Sequence, residues 1–282
     1  KGAKIIVADP RETATARVAD VHLDLKPGTD SALANGMLHI LIKEGYVDEE
    51  YVTKRCNNFE ELKKNVEKFT PELTSKITGV AINKLIKAAH IYGMSPRSVV
   101  MFARGVEQQS KGVDNVALYT TMALIRGQIG KFASGVATFT GQGNGQGGRE
   151  HGQKADLLPG YRKLTDRKAV EYVSSVWGID PNEMPKPGVS AYEMFDEIEK
   201  GNIRGMHVIC SNPAVSAPNL EHIWNGLRKL DFLVVSDFFL SETAQFADVV
   251  LPTTTWAEDE GTTTNLEGRV IHIRKVRDPL GQ

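Results

Sequence analysis

Cysteine is nearly absent. Cys56 and Cys210 are the two in 282 residues, far apart and outside any CxxC or Cys/His cluster. A disulfide framework and a zinc or iron–sulfur site built within this chain are therefore both disfavoured. No apolar run approaches the roughly 20 residues that a membrane-spanning helix needs. Lysine and arginine form no block, and 34 basic against 35 acidic side chains leave a net charge of -1. That excludes the basic field a nucleic acid backbone requires. An initiator Met is missing too: the chain opens at Lys1 directly before the strand-like "KIIVADP" and stops at Gln282 just after another strand-like run. The expectation is the middle of a longer protein.

What is present is an ordinary globular composition, 41% apolar and 24% charged, with chain enough for one large domain or two ordinary ones. Strand-like and helical runs alternate, which predicts an α/β architecture with largely parallel strands. Residues 4–8 read as a strand and 30–43 as an amphipathic helix with Asp30 as N-cap. Three or four short helices follow, among them 59–69 and 82–91, each with apolar residues at helical spacing. A strand at 98–102 and a helix at 113–127 come next. Helices near 167–176 and 191–200 are joined by the proline-rich "GIDPNEMPKPG". The last part reads as three strands, 205–209, 232–236 and 247–251, with a helix at 219–229 between the first two, a βαβ unit.

Two features go beyond this outline. The stretch "FTGQGNGQGGREHGQKADLLPG" holds six glycines between Gly141 and Gly152. It also carries Gln142, Asn144, Gln146, Arg149, Glu150 and His151, so it is no Gly/Ser spacer. The second feature is a long-period repeat. "VADPRETATARVADVHL" from Val7 resembles "VSDFFLSETAQFADVVL" from Val235: a strand ending in Asp, then "ETA", then "AD" opening the next strand. The interval from Asp9 to Asp20 equals that from Asp237 to Asp248. Both copies run on to a proline (Pro27, Pro252) and a further acid, Asp30 in one and Glu258 or Asp259 in the other. A generic strand-turn-strand unit would also look like this. The functional reading is two nucleotide half-sites, because ligands of open α/β sheets bind outside the carboxyl ends of the strands. A carboxylate there can accept two hydrogen bonds, from ribose hydroxyls or from the N1–H and 2-amino edge of a guanine. Backbone amides of the following turn suit a phosphate.

Five ordered motifs carry a resemblance: "ADPRETATARVADVHLDLKPGTD", "ARGVEQQSKG", "GQGNGQGGREHGQKADLLPG", "CSNPAVSAPN" and "SDFFLSETAQFADVVLPTTTWAEDEGTTTNLEGR". Together they resemble, over essentially the whole chain, the central region of the molybdopterin oxidoreductases, the dimethylsulfoxide reductase family. Within it the likeness is greatest to the assimilatory nitrate reductases. The resemblance implies two Rossmann-like lobes related by approximate pseudo-twofold symmetry, residues 1–142 and 143–282, as a fragment of a larger enzyme. It implies a molybdenum or tungsten ion held by two pyranopterin guanine dinucleotides. The metal ligand, an iron–sulfur cluster and a last dinucleotide domain would lie outside this chain, and an electron-donor protein or subunit would serve the enzyme in the cytoplasm.

Residue by residue, the resemblance puts Asp9, Pro10, Arg11, Glu12 and Thr13 along one dinucleotide, with Gly28, Thr29 and Asp30 at its guanine. Asn212, Ser236, Asp237 and Asp259 would serve the second. Arg104 and Gln108 would reach a pterin or its phosphate. The glycine-rich stretch would lie against the pterins, where a backbone without Cβ atoms can approach closely, with Gln142 as a donor. Arg149, in the segment matching the family's "GxRE", would meet the substrate, and a planar fork of donors suits nitrate; the alternative is an ion pair with Glu150 or a phosphate. Thr140 stands where formate dehydrogenases of the family have an arginine, which favours nitrate over formate. A noncatalytic electron-transfer scaffold of the same fold is the remaining alternative, and it gives no reason for Arg149 or the paired strand-end acids. Cys210 is expected to be a small buried thiol, His151 a loop histidine bonded to backbone, Trp177 and Trp224 packing residues on helices, and Trp256 a cover for the cofactor.

Overall fold

The computed structural model describes residues 2–139, 141–265 and 267–281. The chain divides into two compact units between Gly141 and Gln142. The first runs β1 (Ile6–Ala8), α1 (Ala14–Arg17), β2 (Val21–Leu23), α2 (Asp30–Lys43), α3 (Glu49–Arg55), α4 (Phe59–Val66), α5 (Pro71–Thr78), α6 (Ile82–Met94), β3 (Val99–Phe102), α7 (Arg104–Glu107), α8 (Gly112–Ile125) and β4 (Gly135–Thr138). Strands β1 and β2 pair in parallel, and so do β3 and β4.

Helix α2 is the centre of this unit. Its pattern predicts an amphipathic helix, yet Leu33, Ala34, Gly36, Leu38 and Leu41 are all enclosed, around most of its circumference. The reason is tertiary: α4, α5, α6 and α8 all pack against it. Gly36 is what lets α5 approach, since a Cβ there would come within 2.4 Å of Thr74 Oγ1. The buried His39 donates from Nδ1 to the Val66 carbonyl at 3.0 Å, while its Nε2 finds no partner among the described residues. Asp30 is not the N-cap. Thr29 holds that position, its hydroxyl donating to the Lys26 carbonyl at 2.6 Å, and Asp30 is the first helical residue. A carboxylate in the first turn still meets the positive end of the helix dipole.

The second unit runs α9 (Gly145–Glu150), β5 (Leu157–Leu158), β6 (Arg162–Lys163), α10 (Arg167–Trp177), α11 (Glu193–Glu199), β7 (Gly205–Ile209), α12 (Pro213–Ser216), α13 (Leu220–Lys229), β8 (Phe232–Asp237), β9 (Val249–Pro252), β10 (Gly261–Thr264) and β11 (Val270–Ile273). The expected βαβ unit is here, with β7, β8 and β9 forming one parallel sheet in that order. Phe195 and Ile198 of α11, Ile223 and Leu227 of α13, and Leu233 and Val235 of β8 make its core. Reading the last part as three strands was incomplete, because β10 and β11 add an antiparallel pair, as β5 and β6 do earlier. All four residues of β11 are exposed, so no alternation of burial marks it.

Three side chains depart from expectation. Cys210 is exposed rather than buried; it ends β7 in a left-handed conformation, φ 49°, and its amide donates to the Ser236 carbonyl at 2.8 Å. Trp177 is 52% exposed, because it closes α10 beside the turn at Gly178. Trp224 is partly covered and donates from Nε1 to the Ala214 carbonyl at 2.8 Å, which ties α13 to α12.

Candidate functional site

Each unit carries a strand-end aspartate, and the local framework around the two is the same. In the first, β1 pairs β2 with Ile6 opposite Val21; in the second, β8 pairs β9 with Val234 opposite Val249. A second aspartate locks each pair. The Ile5 amide donates to Asp20 Oδ2 at 2.9 Å, and the Leu233 amide donates to Asp248 Oδ2 at 2.7 Å, both across 15 residues. The return bonds match as well, Asp20 N to Ile5 O and Asp248 N to Leu233 O, each 2.9 Å. The "AD" of the sequence repeat is thus a parallel-strand clamp, while Asp9 and Asp237 stand at the carboxyl ends of their strands. Asp20 also pairs with Lys4 Nζ at 2.8 Å. That hydrogen bond, and after it the Ile5 amide, hold the Asp20 carboxyl below its ordinary range.

Around Asp9 the site is open. Its Oδ1 accepts the Arg11 amide at 2.8 Å, a local turn. Its carbonyl takes a hydrogen bond from His22 Nε2 at 2.8 Å; since a carbonyl only accepts, that nitrogen carries the proton. Pro10, Arg11 and Glu12 are exposed, and Thr13 caps α1 by accepting the Ala16 amide at 3.2 Å. Gly28 holds φ 79° in the turn before α2, with open space where a Cβ would stand. Asp30 joins this unit's other named residues through an amide that sequence reasoning missed. Gln109 Nε2 donates to Asp30 Oδ2 at 2.7 Å, whereas Gln108 is exposed at the end of α7. The Tyr119 hydroxyl bonds the Asp30 carbonyl at 3.4 Å. Burial, with the Asp30 charge adding to it, pushes the Tyr119 hydroxyl well above its ordinary pKa. Arg104 pairs with Glu107 one turn on at 2.7 Å.

Around Asp237 the site is more crowded. Asp237 Oδ1 accepts the Phe238 amide at 2.8 Å, and its carbonyl accepts the Thr253 amide at 3.2 Å. Ser236 is 7% exposed, its Oγ 2.8 Å from Nε2 of the exposed His207, on the face of β8 opposite the core residues Leu233 and Val235. Among the described residues Asn212 is engaged at both ends of its amide, with one Nδ2 proton left over. Its Nδ2 donates to Glu242 Oε2 at 2.7 Å, and its Oδ1 accepts from the Thr243 amide and hydroxyl at 3.1 and 2.7 Å. The Asn212 hydrogen bond is also the main reason the Glu242 carboxyl lies below its ordinary range. The "ETA" copies thus serve different ends: Thr13 caps a helix, while Thr243 is 0% exposed and anchors Asn212. Asp259 is exposed and accepts the Glu260 amide at 2.8 Å, and Trp256 is 79% exposed.

The glycine-rich stretch is not an open loop throughout. Residues Gly145–Glu150 form α9, entered through Asn144 at φ 60°, whose Oδ1 accepts the Thr264 amide at 3.0 Å. Gly147 is required by the chain itself, since a Cβ there would lie 2.1 Å from Asn144 Oδ1. Gly152, at φ 85°, would bring a Cβ to 2.9 Å from the Leu158 backbone. Close packing within the stretch is by itself reason enough for glycine at these two positions. Gly141 and Gly143 differ: a Cβ at either would meet nothing within 4 Å. Gln142 is exposed. Thr140 lies outside the described residues. His151 is exposed and ends α9 with its amide bonded to the Gly147 carbonyl at 3.0 Å. Arg149, in the last turn of α9, is partly exposed and makes no ion pair with Glu150 or any other described residue.

Among the described residues no group of three or more His, Cys, Asp or Glu side chains could hold a metal ion. The donor set suits a nucleotide-bearing group instead. Each unit offers a carboxylate at the carboxyl end of a parallel strand, and each keeps one oxygen of that carboxylate clear of the turn that follows.

Comparison with known proteins gives this arrangement its family. The chain is 49% identical over 278 residues to the assimilatory nitrate reductase catalytic subunit of Bacillus subtilis, covering 99% of this chain and 39% of that protein. It is 44% identical over 282 residues to the F420-dependent formate dehydrogenase subunit alpha of Methanocaldococcus jannaschii, covering 100% and 41%. Acetylene hydratase from Pelobacter acetylenicus superposes with a TM-score of 0.75 at 26% identity, over 99% of this chain and 41% of that one. The chain thus spans about two-fifths of the length of the relatives it matches. The molybdopterin oxidoreductase family model matches residues 1–282, and the chain belongs to that family.

Proposed function

We propose that this chain is the cofactor-binding centre of an enzyme that reduces nitrate to nitrite. The two units hold one pyranopterin guanine dinucleotide each: Asp9, Arg11, Gly28 and Asp30 in the first, Asn212, Asp237 and Asp259 in the second. When bound, the pterin-held molybdenum or tungsten supplies the redox chemistry of oxygen-atom transfer; the protein supplies binding, orientation and charge. The carboxylates accept ribose or base-edge hydrogen bonds, and Gly141 and Gly143 leave room for a ring system to approach. An iron–sulfur cluster, an electron donor and a cytoplasmic location belong to the same proposal.

The observation that carries nitrate is Arg149, a guanidinium with no carboxylate partner among the described residues, at the end of a glycine-lined helix. A planar fork of donors matches a small planar oxyanion. Thr140, which brings no positive charge of its own, is an added reason to prefer nitrate to a carboxylate substrate. Arg149→Ala in the full-length parent tests the assignment. Loss of one charge-assisted hydrogen bond, about 1.5–3 kcal/mol, lowers kcat/KM for nitrate about 10- to 150-fold with metal content unchanged. If metal and activity fall together, Arg149 anchors the cofactor instead; unchanged kinetics with full metal sink both roles.

A further inference from the structure

Gln109 does for the first unit what no residue named from the sequence does. Its Nε2 donates to Asp30 Oδ2 at 2.7 Å and to the Gly105 carbonyl at 2.6 Å. Both partners are acceptors, so the orientation of the amide is fixed by chemistry: the NH2 end faces them and both its protons are used. Asp30 opens α2, the most enclosed helix of the unit, and is therefore a rigid anchor. Gly105 is the second residue of α7, whose first is Arg104. One amide thus ties the carboxylate at the start of α2 to the short helix that carries Arg104. A parallel stitch lies beside it. Asn115 Nδ2 donates to the Val106 carbonyl at 3.1 Å, and Asn115 Oδ1 accepts from the Ser31 hydroxyl. The second stitch explains why α7 stays docked; the first decides what Asp30 offers. Asp30 Oδ2 is held by Gln109, and Oδ1 has no hydrogen-bond partner among the described residues.

We propose that Gln109 is a positioning residue for Asp30: it holds one carboxylate oxygen, leaves the other for the base edge of a nucleotide, and sets Arg104 by the same bond. This rests on the reading of Asp30 as part of a nucleotide half-site. Gln109 lies partly covered, so its replacement leaves the core alone.

The test uses the full-length parent in five forms: wild type, Asp30→Asn, Gln109→Leu, Gln109→Glu and the double variant Asp30→Asn/Gln109→Leu. Guanine nucleotide released by acid hydrolysis is measured per protein, together with bound metal and Tm. Gln109→Leu is expected to weaken retention about 10-fold, the size of one hydrogen bond to a charged group, with Tm close to wild type. The double variant should retain no less than Asp30→Asn alone, because the amide acts through that carboxylate. Gln109→Glu keeps the shape and places like charges together, so it should retain less than Gln109→Leu; a purely structural role would leave it at wild-type content. If Asp30→Asn loses nucleotide while both Gln109 variants keep it, positioning by Gln109 is overturned and the half-site reading stands. Independent, multiplying losses also overturn the inference. If Asp30→Asn keeps full nucleotide, the half-site reading itself fails and Gln109 falls with it.

Discussion

The two strand ends share one framework and differ in what has grown around it. At Asp9 and at Asp237 a parallel strand pair is clamped by a second aspartate with the same bonds and the same spacing. Beyond the clamp the copies diverge. The first keeps an exposed turn, with Pro10, Arg11 and Glu12 in solvent. The second builds a polar knot in which Asn212 ties the exposed Glu242 to the buried Thr243. A repeat in sequence has therefore preserved backbone engineering, strand pairing and its lock, and left side-chain chemistry to each unit. The same "ETA" is a helix cap in one place and a tertiary anchor in the other.

The sharpest way to break this comparison is at positions the register makes equivalent. Leu23 lies opposite Ala8, and Leu251 lies opposite Ser236. Leu23 is 2% exposed and Leu251 46%. Leu23→Ala should cost about 2–5 kcal/mol and Leu251→Ala less than about 1 kcal/mol in denaturant unfolding. Equal losses would mean that the two frameworks are packed alike after all.

Glycines give the next contrast. Gly152→Ala forces a Cβ against the Leu158 backbone at a positive φ and should destabilise by about 1–3 kcal/mol. Gly141→Ala, with open space around it, should leave Tm unchanged and lower the metal content of the parent. A stable Gly152→Ala protein would return that glycine to the ligand.

Smaller effects test the clamps. Asp248→Ala strands the amide of Leu233, a residue 1% exposed, and should cost about 1 kcal/mol. Asp20→Ala exposes the amide of Ile5, itself 39% exposed, and should cost less. The Asp20 clamp also has a pH signature. Its folded pKa lies below the ordinary aspartate value. A depressed acid contributes stability that is fully present above the unfolded pKa and is lost as pH falls through the folded one. NMR titration should place the Asp20 midpoint below 3.8, and Lys4→Ala should raise it, because the Lys4 hydrogen bond is the main cause of the shift. A midpoint indifferent to Lys4 would leave the Ile5 amide as the cause.

Much was legible in the sequence because the signals were local. Helix α2 was read with the boundaries it has, and the βαβ unit of β7, α13 and β8 was visible from strand-like runs flanking a periodic one. The repeat put Asp20 and Asp248 at equivalent positions from spacing alone, though not their bonds across the strand pair. Strands β4, β10 and β11 were not legible: each has four residues, and β11 is exposed along its length, so no alternation betrays it. Helix α9 was hidden because glycine lowers helix propensity. It forms nonetheless where Asn144 is anchored to the Thr264 amide, 120 residues away.

The sequence by itself determined the family, the α/β character, the paired aspartates and the density of glycine, because these rest on residue identity and short-range order. Only the tertiary structure decided which of those residues are spoken for. Ser236 is paired with His207, Asn212 bridges Glu242 and Thr243, Cys210 is exposed, and Gln109 rather than Gln108 reaches Asp30. Each of those outcomes is set by a partner many residues away in the chain, and a hydrogen bond across such a distance leaves no period or spacing in the sequence to read.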